Sequence, residues 1–546
     1  MRKFSLLLLL FFTLPISAQI LSETQKLESL CKVWGFLKYY HPNVAKGTFN
    51  WDEQLLQKID ELEKINNKKE LNELYSNWIT SLGKIDECKE CSKQENKIYF
   101  LKNFDLSWIN NQAIFDTLVI QKLNEIQSNR NLGENYYFGK DGRKAFFRNE
   151  NSYGSKFISK QISLLEFFRY WNYVEFFFPY KYETDQNWND VLTEMIPKFI
   201  DVNNDTNYHL TLAELVTKTD DSHAFLFSPL ISLNQYGRRK VPVEYSYAEG
   251  KLVITKINTT RFSEEIPLQV GDVIYDVDGL TIPQKVNAFG KYIPASNTWG
   301  KIKKVKNLFL FSNKDSMEIK IEREGQNLSL KVKTYLLKDI ITEKPIVLEK
   351  WKFIDEERRI GYVNMGIIEK KDVNEMFNAL KSTESIIFDI RNYPKQTILA
   401  LSQLLLPENT IYYQFNFPET DYLSKFYSRK NHIGTKNPDY YKGNVVVLVD
   451  ENTQSQAETT TMMFKQHPKA KVIGSYTAGA NGEVVSFRIA GLATSFTGIG
   501  AYYPNGAETQ RVGIIPDIIV KPTVKGIREG KDEVLESALE YLRTPL

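Results

Sequence analysis

The chain has 546 residues, which is enough for roughly three or four domains with cores of their own. Aromatic residues make up 13% of the chain, a content that excludes a largely disordered protein. The formal net charge is +3 with 25% charged residues, so the charge balance indicates neither a nucleic acid nor an acidic partner.

The first 18 residues have the pattern of an export signal. Arg2 and Lys3 form a charged start, residues 6–12 an apolar run, and Ile16-Ser17-Ala18 a small-residue cleavage site. The run is too short to cross a bilayer well, so a retained anchor is the alternative. No later stretch is long and apolar enough to span a membrane. We therefore expect an exported protein, periplasmic or extracellular, without stable membrane insertion.

Three cysteines occur, and two of them form a single C-x-x-C at Cys88 and Cys91. No second pair and no nearby His accompanies them, whereas a zinc site needs four ligands. In an exported chain the spacing favours a local disulfide, which leaves Cys31 over. A redox role is the remaining alternative, although no βαβ pattern surrounds the motif. We expect no metal and no cofactor.

Two aromatic segments in the N-terminal half repeat one another. In each, a Pro follows the first Trp by eight residues and a second Trp follows it by seventeen. These four tryptophans are Trp34, Trp51, Trp171 and Trp188. The spacings predict a duplicated helical hairpin, with one copy in a helical and mixed domain of residues 19–160 and the other in a helical segment of residues 161–238. Aromatic stripes of this kind are most often core, so we assign them no chemistry.

The second copy leads into the segment Asp220-Asp221-Ser222-His223. The chain has only five histidines, and His223 stands at a strand-like edge behind two carboxylates. An imidazole in that setting can act as a general base held by a neighbouring acceptor. The alternative is an ordinary surface or hydrogen-bonded loop histidine.

Residues 239–338 have the pattern of a small β-rich domain. Residues 251–257 alternate like a strand, and residues 267–279 combine a Gly-Asp turn, a strand and an Asp-Gly hairpin. Another hairpin surrounds Gly325. The segment around Gly271-Asp272 resembles that of PDZ domains, which bind extended peptides by adding a strand to an exposed sheet edge.

From residue 339 to the end, strands alternate with helices, which predicts an α/β core. The predicted strands are residues 359–365, 384–390, 444–449 and 470–474, and the helices between them include residues 373–380 and 397–406. The expected fold class is therefore multidomain α/β. A helical N-terminal region with a duplicated hairpin would precede the β-rich PDZ-like domain and an α/β core of residues 339–546.

Ser455 is the candidate nucleophile of this core. Asn444–Val449 is an almost unbroken aliphatic run, as in a strand buried on both faces of a parallel sheet, and a helix pattern starts at Gln456. A Ser between a strand and the positive end of a helix is placed where an alkoxide or oxyanion is stabilised. The alternative is that Ser455 and Glu458 form a capping box, in which the hydroxyl only satisfies free amides.

Five segments, in this order and spacing, resemble the C-terminal processing (tail-specific) serine peptidase family in its tricorn-core-like branch. They are the Gly271-Asp272 turn, Asp389-Ile390-Arg391, the Ser455 loop with Glu458, the loop of residues 474–482, and Gly513-Ile514-Ile515-Pro516-Asp517. The resemblance covers about residues 210–525. It implies an exported serine peptidase that cleaves peptides or partly unfolded proteins and needs no cofactor.

The resemblance also assigns catalytic roles. One arrangement in the family is a Ser-Lys pair, but the Lys would fall near Ala480, which cannot take a proton. The other uses Ser and His with a Ser beside the His, which implies Ser455 as nucleophile, His223 as base and Ser222 as the residue that orients it. An acidic orienting residue would fall near position 510. The chain has Gln510 there, so either Gln510 acts as a neutral orienter or Glu508 substitutes for it.

The oxyanion hole implied by the family uses two backbone amides. The first is that of Gln456, and the second comes from the loop after Arg391, where the family has a Gly-rich turn. Here Pro394 has no N–H to donate, which leaves Lys395. These departures keep an alternative open: a catalytically degenerate scaffold that binds peptides through its PDZ-like domain. An ester or carbohydrate hydrolase is a weaker third hypothesis, and the oligomeric state stays open.

Overall fold

The computed structural model of the chain describes residues 20–544, with gaps at 96–97, 263–264, 342–347, 356 and 358. The predicted export signal, residues 1–18, lies outside the described residues. Within the described part of the chain, no helix combines the length and the apolar character needed to cross a membrane.

The N-terminal region (residues 20–238) is mainly helical. Its helices are α1 (Glu23–Tyr40), α2 (Pro42–Ala45), α3 (Trp51–Leu62), α4 (Lys68–Ser81), α5 (Cys91–Glu95), α6 (Thr117–Ser128), α7 (Lys160–Phe177), α8 (Trp188–Ile200), α9 (Asp205–Thr217) and α10 (Pro229–Ile231). Its strands are β1 (Phe138–Asp141), β2 (Lys144–Phe147) and β3 (Phe225–Leu226). The predicted disulfide between Cys88 and Cys91 is present, and Cys31 is a buried free cysteine.

The four tryptophans of the repeated segments make matching hydrogen bonds. The indole of Trp34 donates to the carbonyl of Trp51 at 3.0 Å, and the indole of Trp51 donates back at 3.2 Å. Trp171 and Trp188 exchange the same pair of bonds at 2.9 and 3.0 Å. A buried indole N–H needs an acceptor, and each reciprocal pair of hydrogen bonds supplies one while linking a long helix to the start of a later helix. All four side chains belong to the main hydrophobic core.

The middle region (residues 239–341) is built on antiparallel strands. Its strands are β4 (Arg239–Lys240), β5 (Val243–Ala248), β6 (Lys251–Ile257), β7 (Thr259–Thr260), β8 (Val273–Val277), β9 (Leu280–Thr281), β10 (Phe311–Ser312), β11 (Ser316–Arg323), β12 (Gln326–Lys333), β13 (Tyr335–Leu336) and β14 (Ile340–Ile341). The main sheet runs in the order β12-β11-β8-β6-β5, with β9 paired to β8. Two helices, α11 (Ile282–Gly290) and α12 (Thr298–Val305), complete the region.

The C-terminal region (residues 348–544) contains the predicted α/β core. Its strands are β15 (Trp351–Phe353), β16 (Ile360–Asn364), β17 (Ser385–Asp389), β18 (Thr410–Pro418), β19 (Phe426–Ile433), β20 (Asn444–Val449), β21 (Ala470–Gly474), β22 (Gly482–Ile489), β23 (Leu492–Tyr502) and β24 (Ile518–Ile519). Its helices are α13 (Val373–Leu380), α14 (Ile398–Leu405), α15 (Gln456–Phe464), α16 (Val524–Arg528) and α17 (Glu533–Arg543).

The main sheet of this region has the order β15-β16-β17-β20-β21-β24, and its strands from β16 onward are parallel. One face packs against α13, α14 and α15 and the other against α17, which buries the central strands on both sides. Because the central strands are parallel, their carboxyl ends meet at one edge. Open sheets of this kind bind ligands at that edge, and the loops after β17, β20 and β21 lie there.

A second sheet joins the N-terminal region to this core. It has the order β19-β18-β23-β22, and β3 from the N-terminal region pairs with β23. Val485, Phe496 and Tyr502 of this sheet belong to the same hydrophobic cluster as the N-terminal helices. The segment that ends in β3 is therefore built into the core, and it carries His223 to the edge of the second sheet.

Candidate active site

Ser455 occupies a strained turn between β20 and α15. Its φ is 59° and its ψ is −120°, a conformation that costs a residue with a side chain on the order of 1–3 kcal/mol. Two acceptors hold its amide, the carbonyl of Ala480 at 2.9 Å and the carboxylate of Glu458 at 3.1 Å. The surrounding structure therefore fixes the backbone and leaves the half-buried side chain at the end of the turn.

The capping alternative explains only part of this turn. Glu458 reaches back to the Ser455 amide, as the second half of a capping box does. The Ser455 side chain faces the Glu458 amide as the other half of the box, but it forms no side-chain cap hydrogen bond of standard geometry with the first helix amides. The capping box is thus present in arrangement, and it leaves the Ser455 hydroxyl oxygen able to react.

Glu458 ties this turn to the loop after β21. Its buried carboxylate accepts hydrogen bonds from the hydroxyl of Thr477 and from the amides of Gly479 and Ala480, the last two at 3.0 and 3.2 Å. Burial raises the pKa of this carboxyl to about 7. The position at which a Ser-Lys peptidase would carry its Lys is held by the buried Ala480.

His223 is held by two side chains. Its Nδ1 lies 2.8 Å from the hydroxyl oxygen of Thr497 on β23, and its amide donates to the carboxylate of Asp221 at 2.9 Å. Its Nε2 is buried and has no hydrogen-bond partner in the described part of the chain. Burial lowers the pKa of the imidazole, the Asp221 carboxylate opposes that shift, and Lys304 lowers the pKa further. A neutral imidazole of this kind is ready to accept a proton.

One side chain connects the nucleophile turn to the base. Gln454, which directly precedes Ser455, donates from its Nε2 to the carbonyl of Ser222, which directly precedes His223, at 3.3 Å. The residues directly before the two catalytic candidates are thus in contact, although they are far apart in the chain. Among the residues that the structure describes, no hydrogen bond joins the Ser455 hydroxyl to the imidazole. Catalytic hydrogen bonds are often long in enzymes without substrate and tighten only when substrate is bound.

Ser222 does not contact the imidazole, contrary to the expectation from the family pattern. Its hydroxyl donates to the carbonyl of Ala478 at 3.1 Å and accepts from the amide of Ser296 at 2.8 Å. The two hydrogen bonds therefore connect residues 220–223, which we call the base segment, to the loop after β21 and to the middle region. The side chain on Nδ1 is Thr497, which the sequence analysis missed because strand pairing alone brings it to His223.

Gln510 and Glu508, the two candidates for the remaining orienting residue, have different hydrogen-bond partners. Gln510 is buried, and its Nε2 lies 3.4 Å from Asp221 Oδ1 and 3.3 Å from Ser296 Oγ. It therefore reaches the carboxylate that holds the His223 amide, but not the imidazole itself. Glu508 instead accepts from Lys102 at 2.9 Å and from Tyr182 at 2.7 Å, so its carboxylate belongs to the contact with the N-terminal region.

The two backbone amides expected in the oxyanion hole, those of Gln456 and Lys395, lie in different places. Gln456 is the first residue of α15, where a backbone N–H has no acceptor in a preceding turn. Lys395 forms an isolated bridge with Glu369, and its ammonium lies 3.7 Å from the Glu369 carboxylate. No hydrogen bond or ion pair in the described ranges joins Lys395 to the Ser455 turn. The geometry supports Gln456 as a donor and gives no support to Lys395.

Among the described residues, no group of three or more His, Cys, Asp or Glu side chains is arranged to hold a metal ion.

The fold is similar to that of two solved structures of CPAF. Mature CPAF is 14% identical, with a TM-score of 0.56 over 70% of this chain and 96% of its own. CPAF complexed with lactacystin gives 14% identity and a TM-score of 0.55 over 70% and 97%. A putative peptidase from Parabacteroides merdae is 15% identical, with a TM-score of 0.44 over 71% and 98%. Identities this low show likeness of fold alone.

Sequence comparison places the nucleophile turn in a family. No curated protein sequence is close enough to this chain to count as a match. Residues 359–520 match the sequence profile described as Peptidase family S41. The matched range includes Ser455 and the loops at the sheet edge, whereas His223 lies outside it. The chain thus carries a domain of peptidase family S41 and is a serine-type peptidase, as its motifs indicated.

Proposed function

We propose that this chain is an exported serine peptidase that hydrolyses peptide bonds in peptides or partly unfolded proteins through an acyl-enzyme on Ser455. One observation carries the proposal. The Ser455 hydroxyl, which forms no side-chain cap hydrogen bond of standard geometry, ends a strained turn whose neighbour Gln454 is hydrogen-bonded to the residue before His223. Backbone strain of this kind persists where the surrounding structure enforces it, and it clusters at active sites.

The proposed chemistry follows from the atoms around the imidazole. The Thr497 hydroxyl oxygen accepts a hydrogen bond from Nδ1–H of His223, and the lone pair on Nε2 then takes the proton of the Ser455 hydroxyl. The serine oxygen attacks the peptide carbonyl carbon, and the amide of Gln456 stabilises the oxyanion. The imidazolium then gives its proton to the leaving amine, and water repeats the sequence to release the acyl group.

Export and the tricorn-core-like arrangement are parts of the same proposal. The Cys88–Cys91 disulfide supports export, because disulfides persist in oxidising compartments. Ala480 in place of a Lys, with His223 beside Thr497, favours the Ser-His arrangement over the Ser-Lys one. The antiparallel sheet of the middle region supports a PDZ-like role in holding an extended substrate peptide.

Fluorophosphonate labelling of the purified protein near neutral pH, followed by peptide mapping, tests this proposal. We expect a label on Ser455 that disappears in Ser455→Ala and His223→Ala, together with hydrolysis of unfolded protein substrates by the wild type alone. Hydrolysis that persists in Ser455→Ala would refute the assignment of the nucleophile.

The second candidate function is a degenerate peptidase fold that binds peptides without cleaving them. Two observations favour it: the described residues include no Ser455–His223 hydrogen bond, and Lys395 is engaged with Glu369. This scaffold would bind unfolded peptides through the middle region. Peptide binding by a folded protein that neither hydrolyses peptides nor takes up the probe over a broad pH range would support it and refute the peptidase proposal.

A further inference from the structure

Helix α12 of the middle region contacts both catalytic segments. Lys303 donates to the side-chain oxygen of Gln454 at 2.8 Å and to the carbonyl of Asn452 at 3.3 Å. The next residue, Lys304, donates to the carbonyl of Ala224, directly after His223, at 2.8 Å. Two adjacent lysines on one helix therefore hold the turn before the nucleophile and the segment after the base.

The backbone of α12 also lies against the site. Gly300 allows this approach, because a Cβ at that position would lie 2.4 Å from the Ser222 hydroxyl and 3.0 Å from the carbonyl of Ala478. Asn297 caps the helix at Gly300 and donates from its Nδ2 to the carbonyls of Thr477 and Arg511, each at 3.0 Å. The start of α12 thus packs onto the loops that surround Ser455.

Gln454 is the point at which the three parts of the chain meet. Its amide oxygen accepts from Lys303 of the middle region, and its amide nitrogen donates to Ser222 of the base segment. The oxygens that the Lys303 ammonium contacts directly are neutral. Burial lowers the pKa of the Lys303 ammonium, and the more distant carboxylates of Glu458, Asp450 and Glu451 oppose that shift. The ammonium is therefore held by two direct hydrogen bonds and by the charges around the nucleophile turn.

We infer that Lys303 and Gln454 are positioning residues, which set the distance and orientation between Ser455 and His223 by linking both segments to α12. The inference deepens the proposed peptidase function and rests on it. Neither residue takes part in bond formation. The active geometry therefore depends on a helix that lies outside residues 359–520, the range of the family match.

Two substitutions test the Lys303–Gln454 and Gln454–Ser222 hydrogen bonds separately. Lys303→Met removes the ammonium and keeps the Gln454–Ser222 bond. Gln454→Glu keeps an acceptor for Lys303 and removes the donor to Ser222. Lys301→Met is the matched control, because Lys301 lies on the same helix and its ammonium makes no hydrogen bond or ion pair with a described residue. Burial raises the pKa of Asp220, and the Lys301 charge only contributes to lowering it.

The measurement is the second-order rate of Ser455 labelling by a small fluorophosphonate, which needs no peptide-binding surface. We expect each variant of the link to react roughly 10- to 100-fold more slowly than the wild type, since misplacement by about 1 Å has effects of that size. The double variant should be no slower than the slower single variant, because both break one link. Lys301→Met should stay within about twofold of the wild type.

The pH profile gives a readout that a purely structural role would not change. Burial lowers the pKa of His223, Asp221 opposes that shift, and Lys304 and then Lys303 lower the pKa further, so removal of Lys303 should move the acid limb of the labelling rate slightly to higher pH. Lys301→Met should leave that limb in place. Melting temperatures of all variants show that they are folded, and if Lys303→Met does not fold, Gln454→Glu supplies the same rate comparison.

The outcomes distinguish the two proposals. Wild-type labelling rates and an unmoved acid limb in folded Lys303→Met and Gln454→Glu would overturn the positioning role, while the loss of label in Ser455→Ala would leave the peptidase proposal intact. A slower peptide hydrolysis with unchanged probe labelling would mean that α12 serves substrate docking, which also overturns the inference. A wild type that never labels and never cleaves overturns both.

Discussion

Thr497→Val is the sharpest test of how the imidazole is held. The substitution keeps the side-chain shape and removes the Thr497 oxygen, which is the hydrogen-bond partner of His223 Nδ1 among the described residues, at 2.8 Å. Thr497 is fully buried, so water does not reach the position freely. The ring would lose the partner that selects its tautomer, and the imidazolium formed during acylation would lose a hydrogen-bond acceptor.

The size of the effect follows from the change of charge on the ring. A hydrogen bond to a charged group contributes roughly 1.5–3 kcal/mol, and one between neutral groups roughly 0.5–1.5 kcal/mol. The transition state therefore loses about 1–1.5 kcal/mol more than the ground state. At about 1.4 kcal/mol for each tenfold change in rate, acylation should slow roughly 5- to 12-fold from this cause alone.

The assay is the single-turnover labelling rate, with Thr497→Ser and Thr494→Val as controls. Thr497→Ser keeps the hydroxyl and should retain most of the rate. Thr494→Val removes another buried hydroxyl of β23, one that donates to the carbonyl of Phe225, so it should lower stability by a similar amount without slowing acylation. A folded Thr497→Val protein that reacts at the wild-type rate, or a Thr494→Val protein that is equally slow, would refute the reasoning.

Three further predictions concern pH and strain. Burial lowers the pKa of His223 below 6.5 and the neutral ring is the base, so the labelling rate should rise with pH with a midpoint below 6.5; a higher midpoint contradicts this. Burial raises the pKa of Glu458 to about 7, above its unfolded value of about 4.3, so its contribution to the free energy of unfolding is complete at low pH and lost as pH rises to 7. Over that window the wild type should lose up to about 3 kcal/mol relative to Glu458→Gln in urea titrations, and parallel pH profiles would contradict it. Ser455→Gly should be inactive but more stable, because relief of about 1–3 kcal/mol of strain exceeds a backbone entropy cost of about 0.5–1 kcal/mol, whereas Ser455→Ala should be inactive without that gain in melting temperature.

The core of the fold was predictable because its signals are local. The apolar runs before Asp389 and Asp450 predict strands buried on both faces, and the structure has them as β17 and β20, paired in parallel. The change from an apolar run to a helix pattern likewise predicts the turn at Ser455. Composition and periodicity over a few residues carry this information, since each element buries its own face.

The partners of the base were not predictable from such signals. Thr497 lies in the long hairpin of β22 and β23, to which the sequence analysis assigned no element, and it meets His223 only because β3 pairs with β23. The family pattern gave Ser222 the orienting role from its position beside the His. In the structure the Ser222 hydroxyl turns to Ala478 and Ser296 instead. Non-local strand pairing leaves no mark in a local pattern.

The second backbone donor of the oxyanion hole also could not be predicted from a local sequence pattern. The lack of an N–H on Pro394 excludes its amide as a donor from the sequence alone, since that property belongs to the residue itself. The choice of Lys395 as its replacement depended on where the loop runs. The loop turns toward Glu369, with which Lys395 pairs, and the sequence contains no feature that predicts this contact.

Gly300→Ala is a last test, in which two opposite effects can be weighed. In the interior of a helix, Ala is favoured over Gly by about 0.5–1 kcal/mol, so an exposed site would become more stable. At Gly300 the added Cβ would lie 2.4 Å from the Ser222 hydroxyl, which is held by two hydrogen bonds, and 3.0 Å from the Ala478 carbonyl. Loss of those two bonds, at about 0.5–1.5 kcal/mol each, outweighs the helix gain. We therefore expect a lower melting temperature and slower labelling of Ser455, and a variant that is more stable and labels at the wild-type rate would mean that α12 does not press on the base segment.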